Sequence, residues 1–448
     1  MSSVRFEITN KCNLLCPSCQ EGRLNYAHNH GPFQYASLDL CKQVFQRLHE
    51  HGCHYDVYLY MFCEPCLHPH LNEILDMTDA HGMSIYISSN LNVTQDWGRL
   101  LAHPSLKRLT ISVSGITQDI YERGHRGGRI ERVLKNMKAI AAAAPGTGTE
   151  VLVFFHQYND NTEDEVRFCA LCQHYGFTFV PSPAFFMYSP WEARRHFSGK
   201  HDATLQDGLD NTLPRLLVEK NFFMESMPSL EDIPCALELA EDIAIDCLGY
   251  THQSCCLQTM QEGNRVAPFL DMSRDDLNAI YRNFPLCRDC KRNGYHVQFS
   301  LTPHVEYTRM AKCRTCDGAE SSINTALRAF IQRRQPLEFL SGVPVHVYGA
   351  VGNAGIITLL RAQGYTLGAS IDDNPGLADT EYCGLGIRPL KDFPDEERAR
   401  MCVIIAFIRD EATINTVKAK LSGMGMRHVY ALHEFFFLTD SGADTSKA

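Results

Sequence analysis

Three cysteines within eight residues, Cys12-Asn13-Leu14-Leu15-Cys16-Pro17-Ser18-Cys19, constrain this chain more than any other stretch. They follow Val4-Arg5-Phe6-Glu7-Ile8, whose alternation of apolar and polar residues is that of a half-buried strand. The cysteines therefore occupy the loop that leaves the strand's C-terminal end. A closed zinc site, or an iron–sulfur cluster held wholly by protein, needs four donors. Three thiolates from one tight loop would leave one iron of a 4Fe–4S cluster open to a small molecule. A zinc loop that borrows a fourth ligand, or three structural cysteines, are the competing readings of the spacing.

The chain has 448 residues, a length that predicts two or three domains. Hydrophobic content of 44% and charged content of 21% are those of a globular protein. No apolar run approaches the ~20 residues of a membrane span, and the N-terminus lacks a signal pattern. A cytoplasmic protein without a membrane partner is expected. Lys+Arg 42 against Asp+Glu 52 gives a net charge of −10. With no long basic block, the footprint of nucleic-acid binding is missing and no such partner is expected. Nineteen cysteines in this setting read as metal ligands and core thiols rather than disulfides.

Strand-like and helix-like segments alternate through residues 1–215. The strands are expected at Val4–Ile8, Tyr55–Tyr60, Ser84–Ser88, Arg108–Val113, Glu150–Phe155 and Phe177–Val180. Helices are expected at Ser37–His51, His70–His81, Trp97–Ala102, Gly128–Ala144 and Asn161–His174. This order implies βαβ units and a parallel sheet, whose chemistry gathers at the C-terminal strand ends. Glu64-Pro65 follow the second strand, Ser88-Ser89-Asn90 the third and Ser112-Val113-Ser114 the fourth. A carboxylate can pair with an ammonium, and short hydroxyl and amide side chains donate and accept at close range. Alone, each segment is an ordinary turn or capped loop. Their common place at one end of the sheet is the signal.

Taken in order, these four segments resemble the radical S-adenosylmethionine (SAM) superfamily. The resemblance implies that Cys12, Cys16 and Cys19 hold a 4Fe–4S cluster whose open iron takes the amino and carboxylate groups of SAM. Glu64 and Pro65 match the family's Gly-Gly-Glu-Pro segment, which meets the SAM amino group; Phe62 and Cys63 replace its glycines. Ser88, Ser89, Asn90, Ser112 and Ser114 are implied as further SAM-binding residues. Cys63, Cys66, Cys169 and Cys172 read as core thiols. Tyr121–Gly128, glycine-rich with two arginines, reads either as an anion loop for a SAM carboxylate or substrate phosphate, or as a solvated helix start.

Residues 216–317 are dense in cysteine. Cys235, Cys255-Cys256 and Cys287-Arg-Asp-Cys290 resemble the SPASM or twitch extensions of radical SAM enzymes, which hold auxiliary 4Fe–4S clusters. The resemblance implies at least one such cluster, on Cys235, Cys255, Cys287 and Cys290, with Cys256 an alternative to Cys255. A rival set is Cys287, Cys290, Cys313 and Cys316, since paired Cys-x-x-Cys units also read as zinc. Eight cysteines, with Cys247, could serve two clusters.

A helical linker is expected over 318–342, then a domain over 343–438 and a frayed tail over 439–448. Val345–Tyr348 precedes Gly349-Ala350-Val351-Gly352-Asn353-Ala354-Gly355 and the helix Ile356–Gln363. Thr366–Ile371 ends in Asp372-Asp373-Asn374-Pro375, and Met401–Phe407 and His428–Leu432 read as further strands. An acidic residue about 20 positions past the glycines fits a dinucleotide fold, but the spacing is Gly-x2-Gly-x2-Gly. The domain resembles Rossmann-like modules that accompany sugar and polysaccharide enzymes. Substrate holding or subunit contact is favoured over nucleotide or nucleotide-sugar binding.

The expected fold is thus α/β: a partial (β/α)6 TIM-like barrel, a cysteine-rich SPASM/twitch-like extension and a C-terminal Rossmann-like domain. The resemblance implies one-electron cleavage of SAM to a 5′-deoxyadenosyl radical that abstracts hydrogen from a substrate. An external donor such as flavodoxin or ferredoxin would supply the electron. A sugar, aminocyclitol or nucleotide-sugar substrate is favoured, with oxidoreductase or epimerase-like chemistry; no catalytic side chain is assigned. The runner-up is peptide modification, against which the cysteine loop at residue 12 leaves no room for a preceding leader-binding domain. A non-catalytic metal- or ligand-binding protein is the third reading.

Overall fold

The structure is a computed structural model that describes residues 3–28, 33–51, 56–187, 192, 200–216, 243–252, 265–279, 329–331, 333–349, 354–406 and 411–440. They fall in two compact units, one within residues 2–216 and 241–283, the other within 284–448.

In the first unit, β1 (Ser3–Phe6) leads through the cysteine loop to α1 (Gln20–His28) and α2 (Leu38–Glu50). There follow β2 (Asp56–Tyr58), α3 (Leu71–Ala80), β3 (Ser84–Ser89), α4 (Trp97–Leu101) and β4 (Leu106–Val113). After α5 (Gln118–Gly124) and α6 (Ile130–Ala143) come β5 (Glu150–Gln157), α7 (Thr162–Tyr175) and β6 (Thr178–Pro183). The six strands lie side by side in chain order and are all parallel. This is the parallel sheet of the expected partial-barrel type. β7 (Ile243–Ile245) adds to the other edge of β1 in parallel, and β8 (Tyr250–His252) and β9 (Arg265–Pro268) continue antiparallel. Part of the cysteine-dense stretch therefore extends the first sheet.

Local chemistry explains the elements. Ser37 caps α2 by accepting from the Leu40 N–H at 3.1 Å. Cys41, Val44, Phe45 and Leu48 then form a buried stripe at helical spacing. Gly176 ends α7 with φ 71°, a left-handed cap that favours glycine. Val4, Phe6, Val57, Ile85, Ile87, Leu109 and Ile111 pack against Phe45, Ile74, Val133 and Met137 in one core. Cys66, Cys172 and Cys247 are in that core too. Alternate strand residues face the other way.

The second unit holds β10 (Val345–Tyr348), β11 (Leu367–Ile371), β12 (Glu381–Tyr382), β13 (Leu385–Arg388), β14 (Cys402–Ile405) and β15 (His428–Ala431). Their spatial order is β12-β13-β11-β10-β14-β15, parallel except for β12. Numbering the parallel strands one to five along the chain gives 3-2-1-4-5, the dinucleotide-fold order. The reversal lies between β10 and β14; Gly349 follows β10 and Asp372 the neighbouring β11, whereas residues 350–353 of the glycine run lie outside the described residues. Among the described residues no helix is long and apolar enough to cross a membrane.

His346 interrupts this sheet. Its ring lies against Gly368, where a Cβ would come within 2.2 Å, and its Nδ1 accepts the Ala369 N–H at 3.0 Å. The β10–β11 register shifts at this point. Burial, chiefly, lowers its pKa to about 4. The unfolded chain thus binds a proton between about pH 6.5 and 4 that the folded chain refuses. His346 should contribute full stability above pH 6.5 and lose about 3 kcal/mol as pH falls through that window. Urea unfolding of the second unit, read by pulsed proteolysis, should show that fall, and His346→Gln should flatten it.

Candidate functional site

Cys12, Cys16 and Cys19 are half-buried on the loop between β1 and α1. Burial is the largest influence on each thiol, and the thiols also oppose one another's ionisation, Cys12 by Cys16 and Cys16 by Cys19. All three pKa values are consequently raised. Backbone amides offset this: Cys12 Sγ accepts from Leu14 N–H, Cys16 from its own and Arg126 N–H, and Cys19 from Gly22 and Glu21 N–H. Asn90 Nδ2 adds a donor to Cys12 Sγ at 3.5 Å. Three clustered thiols ringed by N–H donors fit an iron–sulfur cluster, whose positive irons reverse the pKa logic of free thiols.

The loop after β2 is bound to this one. The Glu64 N–H donates to the Lys11 carbonyl at 3.2 Å, and Met61 and Cys63 N–H donate to Glu7 Oε1 at 3.1 and 2.9 Å. Glu64 itself is 2% exposed. Its Oε2 accepts the Asn90 N–H at 2.7 Å and its Oε1 the Cys66 N–H at 3.1 Å. Burial raises its pKa to about 7, against the hydrogen bonds that lower it. Pro65 opens a short 3-10 turn, Pro65–Leu67. Cys63, read as a core thiol, is half-buried, and its thiol senses both Glu7 and Cys12.

At the ends of β3 and β4, Ser88 and Ser112 hydroxyls lie 3.3 Å apart. Ser89 is buried; its Oγ accepts the Leu91 N–H, and its side chain hydrogen-bonds Glu64. Leu91 is fully buried with φ 55°, uncommon for a non-glycine residue. Asn136 Nδ2 holds it by donating to the Leu91 and Val93 carbonyls. Ser114 is also buried, 2.8 Å from His125 Nδ1. The fold thus brings Cys12, Cys16, Cys19, Glu64, Ser89, Asn90, Ser88 and Ser112 to one end of the sheet, while Ser114 is tied to His125. Cys235, Cys255, Cys256, Cys287, Cys290, Cys313 and Cys316 lie outside the described residues.

Several residues at the site carried no sequence signal. Asn13 accepts from Asn90 Nδ2 at 2.9 Å and donates to the Asn92 carbonyl at 2.8 Å. Asn92 Nδ2 meets Tyr121 Oη at 2.6 Å. Tyr121 stacks on His125, and His125 on His156. Burial lowers both histidine pKa values, that of His156 to about 4, so both rings are neutral. Arg23, 2% exposed, donates to the Pro17 and Met187 carbonyls and to Glu192. Tyr121 and His125 lay in the glycine-rich stretch singled out above, but nothing in it marked these two rings.

In the glycine-rich stretch, Tyr121–Gly124 belong to α5, Arg123 pairs with Asp160 at 3.0 Å and Arg126 with Asp207 at 2.6 Å. Both arginines thus have carboxylate partners, and Arg126 also favours the Cys16 thiolate. The stretch serves the cysteine loop through its backbone as well: Leu15 N–H donates to the Arg126 carbonyl at 2.9 Å.

A profile of the radical SAM superfamily matches residues 6–169. Searches of curated proteins give no match. Among solved structures, SuiB of Streptococcus suis bound to S-adenosylmethionine is 14% identical, with 65% of this chain and 67% of that one covered at a TM-score of 0.41. AnSMEcpe with bound AdoMet is 12% identical, covering 63% and 82%, at 0.42. BtrN in complex with AdoMet and 2-DOIA is 12% identical, covering 66% and 88%, at 0.37.

Gly22 provides a direct test of the loop. A Cβ there would lie 2.4 Å from the Cys16 carbonyl oxygen and 2.6 Å from its nitrogen. Both are backbone atoms, so α1 or the loop must shift. Gly22→Ala should destabilise the first unit by about 1–3 kcal/mol and lower iron uptake, as measured by urea unfolding and iron content after anaerobic reconstitution.

Proposed function

We propose that this chain, a radical SAM superfamily enzyme through its domain at residues 6–169, acts on a small molecule of the sugar, aminocyclitol or nucleotide-sugar type. The carrying observation is the amide-ringed set of three thiols at the end of β1, beside Glu64, Asn90 and two strand-end serines. When bound, the family's 4Fe–4S cluster and SAM supply a 5′-deoxyadenosyl radical that takes a hydrogen atom from the substrate.

Cys12, Cys16 and Cys19 would hold the cluster, and the N–H groups aimed at them stabilise thiolate charge and tune its potential. Glu64 would take the SAM ammonium. A cation there would favour the ionised carboxylate that burial disfavours. Asn90 joins both tasks, since its backbone N–H fixes Glu64 while its side chain touches Cys12. Ser88 and Ser112 offer donors and acceptors at the adjoining strand ends. Pro65, Ser89 and Ser114 would act by positioning those segments.

The reading includes at least one auxiliary 4Fe–4S cluster, which Cys235, Cys255, Cys287 and Cys290 would hold, with dehydrogenation or epimerisation as the outcome. A flavodoxin- or ferredoxin-type donor would deliver the electron. The Rossmann strand order of the second unit supports a sugar or nucleotide-sugar class over a peptide, by fold analogy.

The test is anaerobic purification, iron and sulfide quantitation, then reduction with SAM and assay for 5′-deoxyadenosine. Formation should be lost in Cys16→Ala, and iron should exceed one 4Fe–4S cluster. Zinc without iron, or no SAM cleavage with reductant, would overturn the reading. Turnover of a peptide, with none of sugars or nucleotide sugars, would replace the substrate class.

A further inference from the structure

The face of the first sheet away from the helices carries an unusual row. Cross-strand register sets Arg5 opposite Tyr58, Tyr58 opposite Tyr86, Tyr86 opposite Arg108 and Arg108 opposite Glu150. Directly paired residues share a face, and their sequence neighbours Val4, Phe6, Val57, Ile85 and Leu109 are buried on the helix side. All five members of the row are half-exposed.

Most of the row is internally satisfied. Arg108 meets Glu150 at 2.7 Å and lies over the Tyr86 ring, while Tyr58 and Tyr86 stack 4.8 Å apart. Arg5 differs. Its guanidinium lies 5.3 Å from the Tyr58 ring centroid, yet no carboxylate or hydrogen-bond acceptor meets it among the described residues. On its other side β7 presents Ala244, a side chain with no polar group to meet it. Tyr60 packs edge-on to Tyr58 on the same face. Burial raises the pKa of both phenols, which keeps them as donors, and Arg5 acts electrostatically on both.

We propose that Arg5, beside the Tyr58 ring and with Tyr60 packed against that ring on the same face, binds an anionic group of the substrate, a carboxylate or phosphate, and points the remainder toward the cysteine loop. A guanidinium offers paired N–H donors to two oxygens of such a group. Arg5 precedes Thr9 by four residues on the same strand direction, about 13 Å at 3.3 Å per residue, a span suited to a small phosphorylated or carboxylated metabolite. The inference rests on the proposed radical site at the strand ends and narrows its substrate to an acid or a phosphate ester.

The reconstituted holoenzyme is titrated with inorganic phosphate and, separately, acetate at constant ionic strength, with thermal stability as the readout. Wild type should show a saturable rise in Tm, and the better anion distinguishes phosphate ester from carboxylic acid. Arg5→Gln should shift the midpoint by about tenfold or more, and Arg5→Lys and Tyr60→Phe less. If Arg5→Gln fails to fold, the latter two variants carry the comparison. The proposal is overturned if wild type shows no saturable response, if the response is unchanged in the Arg5 variants, or if SAM competes for the site. 5′-Deoxyadenosine formation by wild type separates the two readings. Its presence with an Arg5-independent response sinks only the anion site, and its absence with an Arg5-dependent response sinks only the radical function.

Discussion

Glu7 leaves β1 buried to 2% exposure and accepts hydrogen bonds from three successive backbone N–H groups, those of Met61, Phe62 and Cys63. Burial raises its pKa, and the three amides oppose that rise. The arrangement sets the path of the loop after β2, where the resembling family has glycines and this chain has Phe62 and Cys63. A carboxylate that gathers amides from outside the loop can impose a tight turn without glycine's conformational freedom. Glu64 follows immediately, its own N–H on the Lys11 carbonyl. The two loops that would face the cluster and SAM are thereby one hydrogen-bonded body, to which Asn90 ties the third.

The electrostatics of the site follow from the same economy of backbone donors. Three adjoining thiols are costly to ionise in a half-buried loop. The nearby cations help as well: Arg126, although paired with Asp207, favours the Cys16 thiolate, and Arg23, paired with Glu192, favours that of Cys19. Backbone N–H groups share that task. Arg23 also works mechanically: it fastens the Pro17 and Met187 carbonyls together and stacks on Phe186. Gly208 gives it room, since a Cβ there would come within 2.4 Å of the Arg23 side chain.

The second unit shows how far strand order can be read apart from its motif. The 3-2-1-4-5 order puts Gly349 and Asp372 at the carboxyl ends where such sheets take ligands. Asp373, beside them, is engaged by Tyr348 Oη, Lys420 and the Leu390 N–H, and so acts as a local clamp.

The sequence by itself determined the six parallel strands of the first sheet and five of its helices, though not α1, α5 or β7–β9, together with the cysteine loop and the segments at the strand ends. Those are local properties: alternation of apolar residues, turn residues and the spacing of donors on one loop. Its strand and helix limits stand within a few residues of those found, as for Leu106–Val113 and Ile130–Ala143. Tertiary structure alone decided which partner each polar strand-end side chain meets. Ser114 looks like Ser112 in the chain, yet it is buried against His125, and Ser89 turns onto Glu64. Only the fold joined Glu7 to residues 61–63 and set Arg5 beside Tyr58, because those pairings depend on strand register across more than fifty residues. It likewise paired Arg123 and Arg126 with Asp160 and Asp207, which lie far along the chain, where no spacing rule can find them.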